Sequence, residues 1–510
     1  MASKIHMGDM PELMENILYN LNNEICSLYS CALVSRHWCK MAVPILWQDP
    51  FSSDQSPLFI SKYFSSLGVD DKFILKKWLK EREINEEFSN TLFDYARFLK
   101  VLDIWSLESK VREWLTFKLI DLKLKLFYDT EVDYMMNLLF KLFIESGATL
   151  HKLVLEFSQS IELRPKFFYI LEENKQFFSR IQHLSLDVIY DNNIESATIL
   201  LRTLAESTTK INTIKLNYFD SNYELQIFRA LIHIIKSQEQ LRLFRLAGED
   251  SVEFHDVISA LESQKNSLQE VRLYNCDFSA EFEVFNNCKN LETLHLRYCS
   301  TKPLKSLDYK VSTLEVIESK IDTQSMALIF EKSGIFLQRL KLVLDEEYQD
   351  ELFLLEALKS FCPNITYFSI QGIVFSPQLV ELIGNLRKLQ FLSLLCDDVD
   401  VNDILEEVLK IRVIKFSEIL PLTLQYFTLR STWLEPYTDI LFNHCNAPLK
   451  KMLIYRINNE RISKALVEFC MRNKSLNYVG VFEYEDLDDN TKKEMEPYVE
   501  LVPYEYIVVD

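Results

Sequence analysis

From residue 150 onward, one six-residue pattern, apolar-x-x-apolar-x-apolar, returns thirteen times. It appears as LHKLVL at 150, IQHLSL at 181, INTIKL at 211, LRLFRL at 241, LQEVRL at 268, LETLHL at 291 and VSTLEV at 311. It continues as LQRLKL at 337, ITYFSI at 365, LQFLSL at 389, LQYFTL at 424, LKKMLI at 449 and LNYVGV at 476, with successive copies 20 to 35 residues apart. A unit this short cannot bury its own apolar face. Neighbouring copies must therefore stack and cover one another, which makes an extended array rather than one closed core.

Each copy ends in alternation, as in Leu294-His295-Leu296, which predicts a half-buried strand. Between copies lie stretches with helical spacing, such as Leu225, Phe228, Leu231, Ile232 and Ile235 ahead of the strand at 241. A strand plus a helix in each unit resembles the leucine-rich repeat. The resemblance implies an α/β solenoid: a curved parallel strand array with helices on its convex side. Two copies, NNCKNLETLHLRYC at 286 and SFCPNITYFSI at 360, resemble the cysteine-containing subtype. Positions beside the periodic leucines are Lys152, Ser185, Lys215, Arg245, Arg272, His295, Lys341, Ser369, Ser393 and Thr428. Most of the array is expected to be scaffold. The basic members Lys215, Arg245, Arg272 and Lys341, with His295, are the candidate substrate contacts, suited to an acidic partner.

Composition narrows the function classes. At 510 residues the chain exceeds one ordinary globular core. Its 75 Asp and Glu against 56 Lys and Arg, a net charge of −19, argue against a nucleic-acid binder, which carries a basic footprint. The apolar stretch MMNLLFKLFI is interrupted by Lys141, and no run of 18 apolar residues occurs, so no membrane span is expected. The opening MASKIHMGDM has no apolar signal core. None of the ten cysteines forms a C-x-x-C pair. Free thiols in a reducing compartment are expected, cytoplasmic and/or nuclear, with no metal site.

The N-terminal segment poses a different problem. MPELMENILYNL, residues 10 to 21, predicts a helix capped by Asp9, with Pro11 in its first turn and Glu12 near the positive dipole end. Leu13, Met14, Ile17, Leu18 and Leu21 make one broad apolar face. The next helix, EICSLYSCALVS, is apolar in almost every direction: Ile25, Cys26, Leu28, Tyr29, Cys31, Ala32, Leu33 and Val34. Such a helix requires cover on all sides, and fewer than 50 residues supply little core. Either the array behind it or another molecule must provide that cover.

The segment MPELMENILYNL…CALVSRHWCKMAVPILWQDPF resembles the F-box. The likeness rests on Pro11, Glu12, Leu13, Ile17, Leu18, Leu21, Leu33, Val34, Ser35, Arg36, Trp38 and Trp47; Met10 replaces the usual leucine, and Pro11 and Glu12 are adjacent. The Pro-Ile-Leu-Trp-Gln-Asp-Pro-Phe ending is similar to that of the large F-box families of fungi. The resemblance implies a substrate receptor of an SCF-type cullin-RING ubiquitin ligase. Pro11, Glu12, Leu13, Ile17, Leu18, Leu21, Leu33, Val34, Ser35 and Trp38 would face a Skp-type adaptor and through it a cullin. The repeats would hold a substrate protein. The alternative is a repeat scaffold or ligand sensor acting outside a ligase.

The expected organisation is an F-box over 1–49, a helical spacer and N-terminal cap of the solenoid over 50–149, the solenoid over 150–482 and an acidic C-terminal cap or tail over 483–510. The spacer segments SPLFISKYFSSL, DKFILKKWLKER, FSNTLFDYARFLKVL and LESKVREWLTFKL all have helical spacing. The last 28 residues hold ten acids and two lysines, as solvated ends do. No Gly-rich phosphate loop, H-E-x-x-H pair or G-x-S-x-G elbow occurs, so no catalytic role and no cofactor are expected.

Overall fold

The structure is a computed structural model that describes residues 11–22, 24–52, 56–82, 84, 86–89, 91–118, 128–156, 174–187, 194–219, 225–277, 280–307, 310–344, 351–396, 406–429, 432–457, 460–485 and 489–507. The expected cap Asp9, and Met10, lie outside these residues. The chain divides into two compact units, residues 1–246 and 247–510. Fifteen strands appear in the sheet in the order they follow in the chain, and every pairing described is parallel.

The first unit opens with three helices, α1 (Pro11–Tyr19), α2 (Ile25–Val34) and α3 (Arg36–Leu46). Then come α4 (Ile60–Phe64), α5 (Val69–Lys80), β1 (Val101–Asp103), α6 (Ile104–Lys118), α7 (Tyr128–Glu145), β2 (Lys152–Leu155), β3 (His183–Leu186), α8 (Ile194–Ser207), β4 (Thr213–Phe219) and α9 (Leu225–Ser237). Strand β5 (Leu243–Glu253) begins at its end.

The second unit contains α10 (His255–Ala260), β6 (Glu270–Asp277), β7 (Thr293–Arg297), β8 (Thr313–Ile317), α11 (Thr323–Ser333), β9 (Arg339–Val343), α12 (Glu351–Phe361) and β10 (Tyr367–Ile373). It ends with α13 (Pro377–Asn385), β11 (Phe391–Cys396), α14 (Glu406–Ile419), β12 (Tyr426–Leu429), α15 (Thr438–His444), β13 (Lys451–Ile454), α16 (Glu460–Arg472), β14 (Tyr478–Val481), α17 (Asp489–Met495) and β15 (Glu500–Pro503).

Every one of the thirteen repeats places a strand, β2 through β14, on its alternating residues. The leucines on either side of the alternation, such as Leu294 and Leu296, are buried, while His295 between them faces away from that core. Where copies are only 23 and 20 residues apart, the connections are 3-10 turns, Ala280–Asn287 and Lys302–Ser306, because a full helix does not fit. This strand-and-helix repeat is a leucine-rich-repeat architecture.

One hydrogen-bond device joins successive repeats. The carbonyl just ahead of a strand accepts from two consecutive amides of the next repeat: Gln338 O from Thr366 N and Tyr367 N, Thr366 O from Gln390 N and Phe391 N, Gln390 O from Gln425 N and Tyr426 N. The same device ties α3 to the array, since Gln48 O accepts from Lys100 N at 2.9 Å and Val101 N at 3.0 Å.

That junction contains a departure from the sequence reading. Among its described residues, FSNTLFDYARFLKVL, expected as helix, holds only a 3-10 turn, Tyr95–Phe98, and then β1. Leu102 is buried and pairs with Leu153 of β2, so the array begins one strand before the repeat at 150. The strand carries the same spacing as the thirteen repeats, LKVLDI at 99, with Leu99, Leu102 and Ile104 all buried. At the other end, the acidic segment supplies α17 and β15, which is paired with β14.

Candidate functional site

The three N-terminal helices share a small core of Met14, Leu18, Leu28, Met41 and Ala42, with Leu21, Cys31, Ala32 and Trp38 packed against it. Ser35 separates α2 from α3. Its extended backbone ends one helix, and its hydroxyl caps the next by accepting from Trp38 N at 3.3 Å. That satisfies one of the four amides a helix start leaves open.

Trp47 ends α3 and fastens the module to the spacer. Its ring stacks on Tyr95 at 4.1 Å and meets Tyr63 edge-on at 5.2 Å. Phe51 continues the cluster onto Tyr63 and Phe143. Helix α7 is further held to α5 by the Lys141–Asp71 ion pair at 2.8 Å.

The expectation of an over-apolar second helix meets a clear geometry. Of α2, only Leu28 is buried. Ile25, Tyr29 and Leu33, spaced four apart on one stripe, are exposed, Leu33 by 81%, and Val34 beside them by 64%. Leu13 and Ile17 on α1 are also exposed. Leu18 is fully buried and Leu21 and Trp38 pack on the same core, so these three support the surface from within. Ser35 is exposed but serves as the cap. Pro11 and Glu12 begin α1; their side chains lie outside the described ones.

On the second unit, the sheet face opposite the leucine core carries two parallel rows of side chains around a cavity of about 670 Å³. The first row runs Arg272, His295, Glu315, Lys341, Ser369, Ser393 and Thr428, each in register with the next. Two residues earlier on each strand runs a second row: Glu270, Thr293, Thr313, Arg339, Tyr367, Phe391 and Tyr426. Parallel register with period-two side chains puts both rows on one face.

The two ends of this face differ. At one end the charges are neutralised in pairs. His295 Nδ1 donates to Glu315 Oε2 at 2.8 Å, and its Nε2 lies 3.4 Å from Glu270. Arg272 pairs with Glu270, and Arg339 with Glu315 at 3.0 Å. Burial works against charge on His295, but the carboxylates Glu270 and Glu315 hold its pKa above the ordinary value. Burial likewise opposes ionisation of Glu315, yet His295 and Arg339 bring its pKa down to about 2.

At the other end stands an aromatic column. The Arg339 guanidinium lies 3.7 Å above the Tyr367 ring, Tyr367 stacks on Phe391 at 4.0 Å, and Phe391 stacks on Tyr426 at 4.3 Å. The column ends against Tyr426, Leu453 and Ile507, with Val502 and Tyr504 beside them. Gly480 makes room for Ile507: a Cβ there would stand 3.0 Å from its methyl and 2.8 Å from Leu453.

Three of the substrate candidates, Arg272, His295 and Lys341, therefore line one cavity. Lys215 and Arg245 belong to the first unit and are not among its lining residues. Lys152 is displaced from the row: it pairs with His183, and Val154 occupies the position in register with Ser185. The aromatic column was missed because Tyr367, Phe391 and Tyr426 sit outside the leucine pattern. Their equal offset from it, two residues ahead of Ser369, Ser393 and Thr428, was the available signal.

The ten cysteines are all free. Seven, from Cys276 to Cys470, are buried; Cys26 is exposed, and Cys31 and Cys39 are half-buried. Burial pushes Cys362 up to about 12 and Cys288 up to about 11, which keeps them as thiols. Among the described residues, no group of His, Cys, Asp or Glu is arranged to hold a metal ion, and no helix is long and apolar enough to cross a membrane.

No family model matches the chain, and no curated protein matches it. Among solved structures, it is similar to a chain of the Rad7 and Elc1 complex in yeast, with 12% identity and a TM-score of 0.39 over 87% of this chain and 100% of that one. It is also similar to the leucine-rich repeat-containing protein LegL7 from Legionella pneumophila, with 14% identity and a TM-score of 0.34 over 62% of this chain and 97% of that one. The fold class rests on the strand register itself.

Proposed function

We propose that this chain is a substrate-recognition subunit of an SCF-type cullin-RING ubiquitin ligase. Residues 1–49 dock on a Skp-type adaptor, 50–149 hold that module in place, 150–482 bind the substrate protein, and 483–510 close the array. The observation that carries the reading is the exposed apolar stripe of α2, Ile25, Tyr29 and Leu33 with Val34, within a segment whose residues match the F-box pattern. A monomer exposes so contiguous an apolar strip at a cost in solubility, and a helical partner removes it. The chain then contributes binding and orientation, while ubiquitin transfer takes place on other subunits.

The bond from Gln48 to Lys100 and Val101 and the Trp47 cluster support the same reading, because they give the docking helices a fixed position against the first strand. The test is co-purification of the full chain with a recombinant Skp-type adaptor and cullin. The double variant Leu33→Asp, Val34→Asp should lose the adaptor and keep its fold. Adaptor capture that survives this double change would sink the assignment.

A further inference from the structure

We infer that the cavity on the second unit binds a short extended peptide segment carrying one carboxylate side chain next to an aromatic or large apolar one. The inference rests on the proposed role of the repeats as the substrate-holding part and names the chemistry of what they hold.

Arg272 of the first row and Arg339 of the second are each committed to a glutamate, and His295 lies between both glutamates. Lys341 is next in register to Glu315, whose oxygens are taken by His295 and Arg339. Among the described residues Lys341 has no hydrogen-bond or ion-pair partner. Glu270 and Glu315 are shared among Arg272, Arg339 and His295, so the cation left without a partner is Lys341, half-buried in the cavity wall. A half-buried charge without a partner is costly and attracts a counter-charge.

Beside Lys341 the row continues with the hydroxyls of Ser369, Ser393 and Thr428. None of the three has a hydrogen-bond partner among the described residues, and all three line the cavity. An ammonium followed by unpartnered hydroxyls, that of Ser393 half-buried and those of Ser369 and Thr428 recessed in the cavity floor, supplies donors to a carboxylate and partners to a peptide backbone. Four positions on adjacent strands span roughly 14 Å at the usual strand separation, about the length of four extended residues. The neighbouring column Tyr367, Phe391 and Tyr426 offers a continuous apolar edge along that path. A single unpartnered ammonium matches a carboxylate. A phosphate dianion calls for a second free cation, and the other cations of this cavity are already engaged with Glu270 and Glu315.

The experiment pans a random heptapeptide display library on the immobilised full-length chain and on its Lys341→Gln variant. Selected peptides are then measured by fluorescence anisotropy. Asp or Glu within three residues of an aromatic or leucine should be enriched on the wild type alone. Lys341→Gln, and neutralising the peptide acid, should each weaken binding about tenfold or more, with little further loss when combined. Ser393→Ala should weaken it less, and none of these changes should lower the thermal unfolding temperature. No enriched acid, equal binding by Lys341→Gln, or tighter binding of a phosphorylated counterpart would each overturn the inference. The selected peptide is also measured on the Leu33→Asp, Val34→Asp chain, where it should bind normally. Failure of peptide selection with adaptor capture intact removes this inference alone; loss of the adaptor reading with peptide binding intact removes only the docking assignment.

Discussion

His295 Nδ1 donates a 2.8 Å hydrogen bond to a carboxylate oxygen of Glu315, and this pair joins β7 to β8 across the open face of the sheet. The pair has a defined pH signature. The pKa of His295 is raised above 6.5, so its stabilisation is full below that value and disappears as pH rises through the folded pKa. The pKa of Glu315 is lowered to about 2, so its stabilisation is full above 4.5 and disappears as pH falls toward 2. Urea midpoints at pH 5.5 and pH 8.5 should differ for the wild type by more than for His295→Gln. An identical pH dependence in the variant would show that the pair carries no linked stability.

Leu33 and Leu18 lie on adjacent helices of the same module and should respond in opposite ways. Leu33 is 81% exposed, so Leu33→Asp should change stability by less than about 0.5 kcal/mol while removing adaptor binding. Leu18 is fully buried, so Leu18→Ala should cost about 2–5 kcal/mol and lose adaptor binding through unfolding of the module. Circular dichroism melts alongside pull-down separate the two. A large melting shift in Leu33→Asp would mean that this residue is part of the chain's own core.

Trp47 bridges α3 to Tyr63 and Tyr95. Trp47→Ala should destabilise the first unit by about 2–4 kcal/mol. Hydrogen exchange should then show faster opening of the Lys100 and Val101 amides that bond to Gln48. Unchanged protection of those two amides would place the anchor elsewhere.

Gly372 has φ of +69°, and a Cβ there would stand 2.6 Å from the carbonyl oxygen of Leu344. The residues aligned with it in earlier repeats, Asn275, Tyr298 and Glu318, also have positive φ. Gly372→Ala combines left-handed strain with a backbone clash and should cost about 1–3 kcal/mol in chemical denaturation. The same measurement on Asn275→Gly should give a neutral or stabilising change, since glycine relieves the strain. A destabilised Asn275→Gly would mean that the asparagine side chain matters more than the backbone angle there.

The sequence by itself determined the array. Leu294 and Leu296 flank His295 because a strand packed on one face has a period of two, and the thirteen returns of that pattern mark thirteen strands. It also exposed the problem of α2, since a helix apolar on every side in a small module has more surface than that module covers. Tertiary structure alone decided the rest. Strand β1 carries the repeat spacing as LKVLDI at 99, but its register, Leu102 against Leu153, was set only when the two strands paired. Which of the apolar residues of α1 and α2 are buried depended on how three helices meet: Leu18 inside, Leu33 and Val34 outside. And residues 20 to 35 positions apart in the chain became neighbours only when the strands paired in register, which is why the paired charges, the unpaired Lys341 and the stacked rings of one face were not legible along the chain.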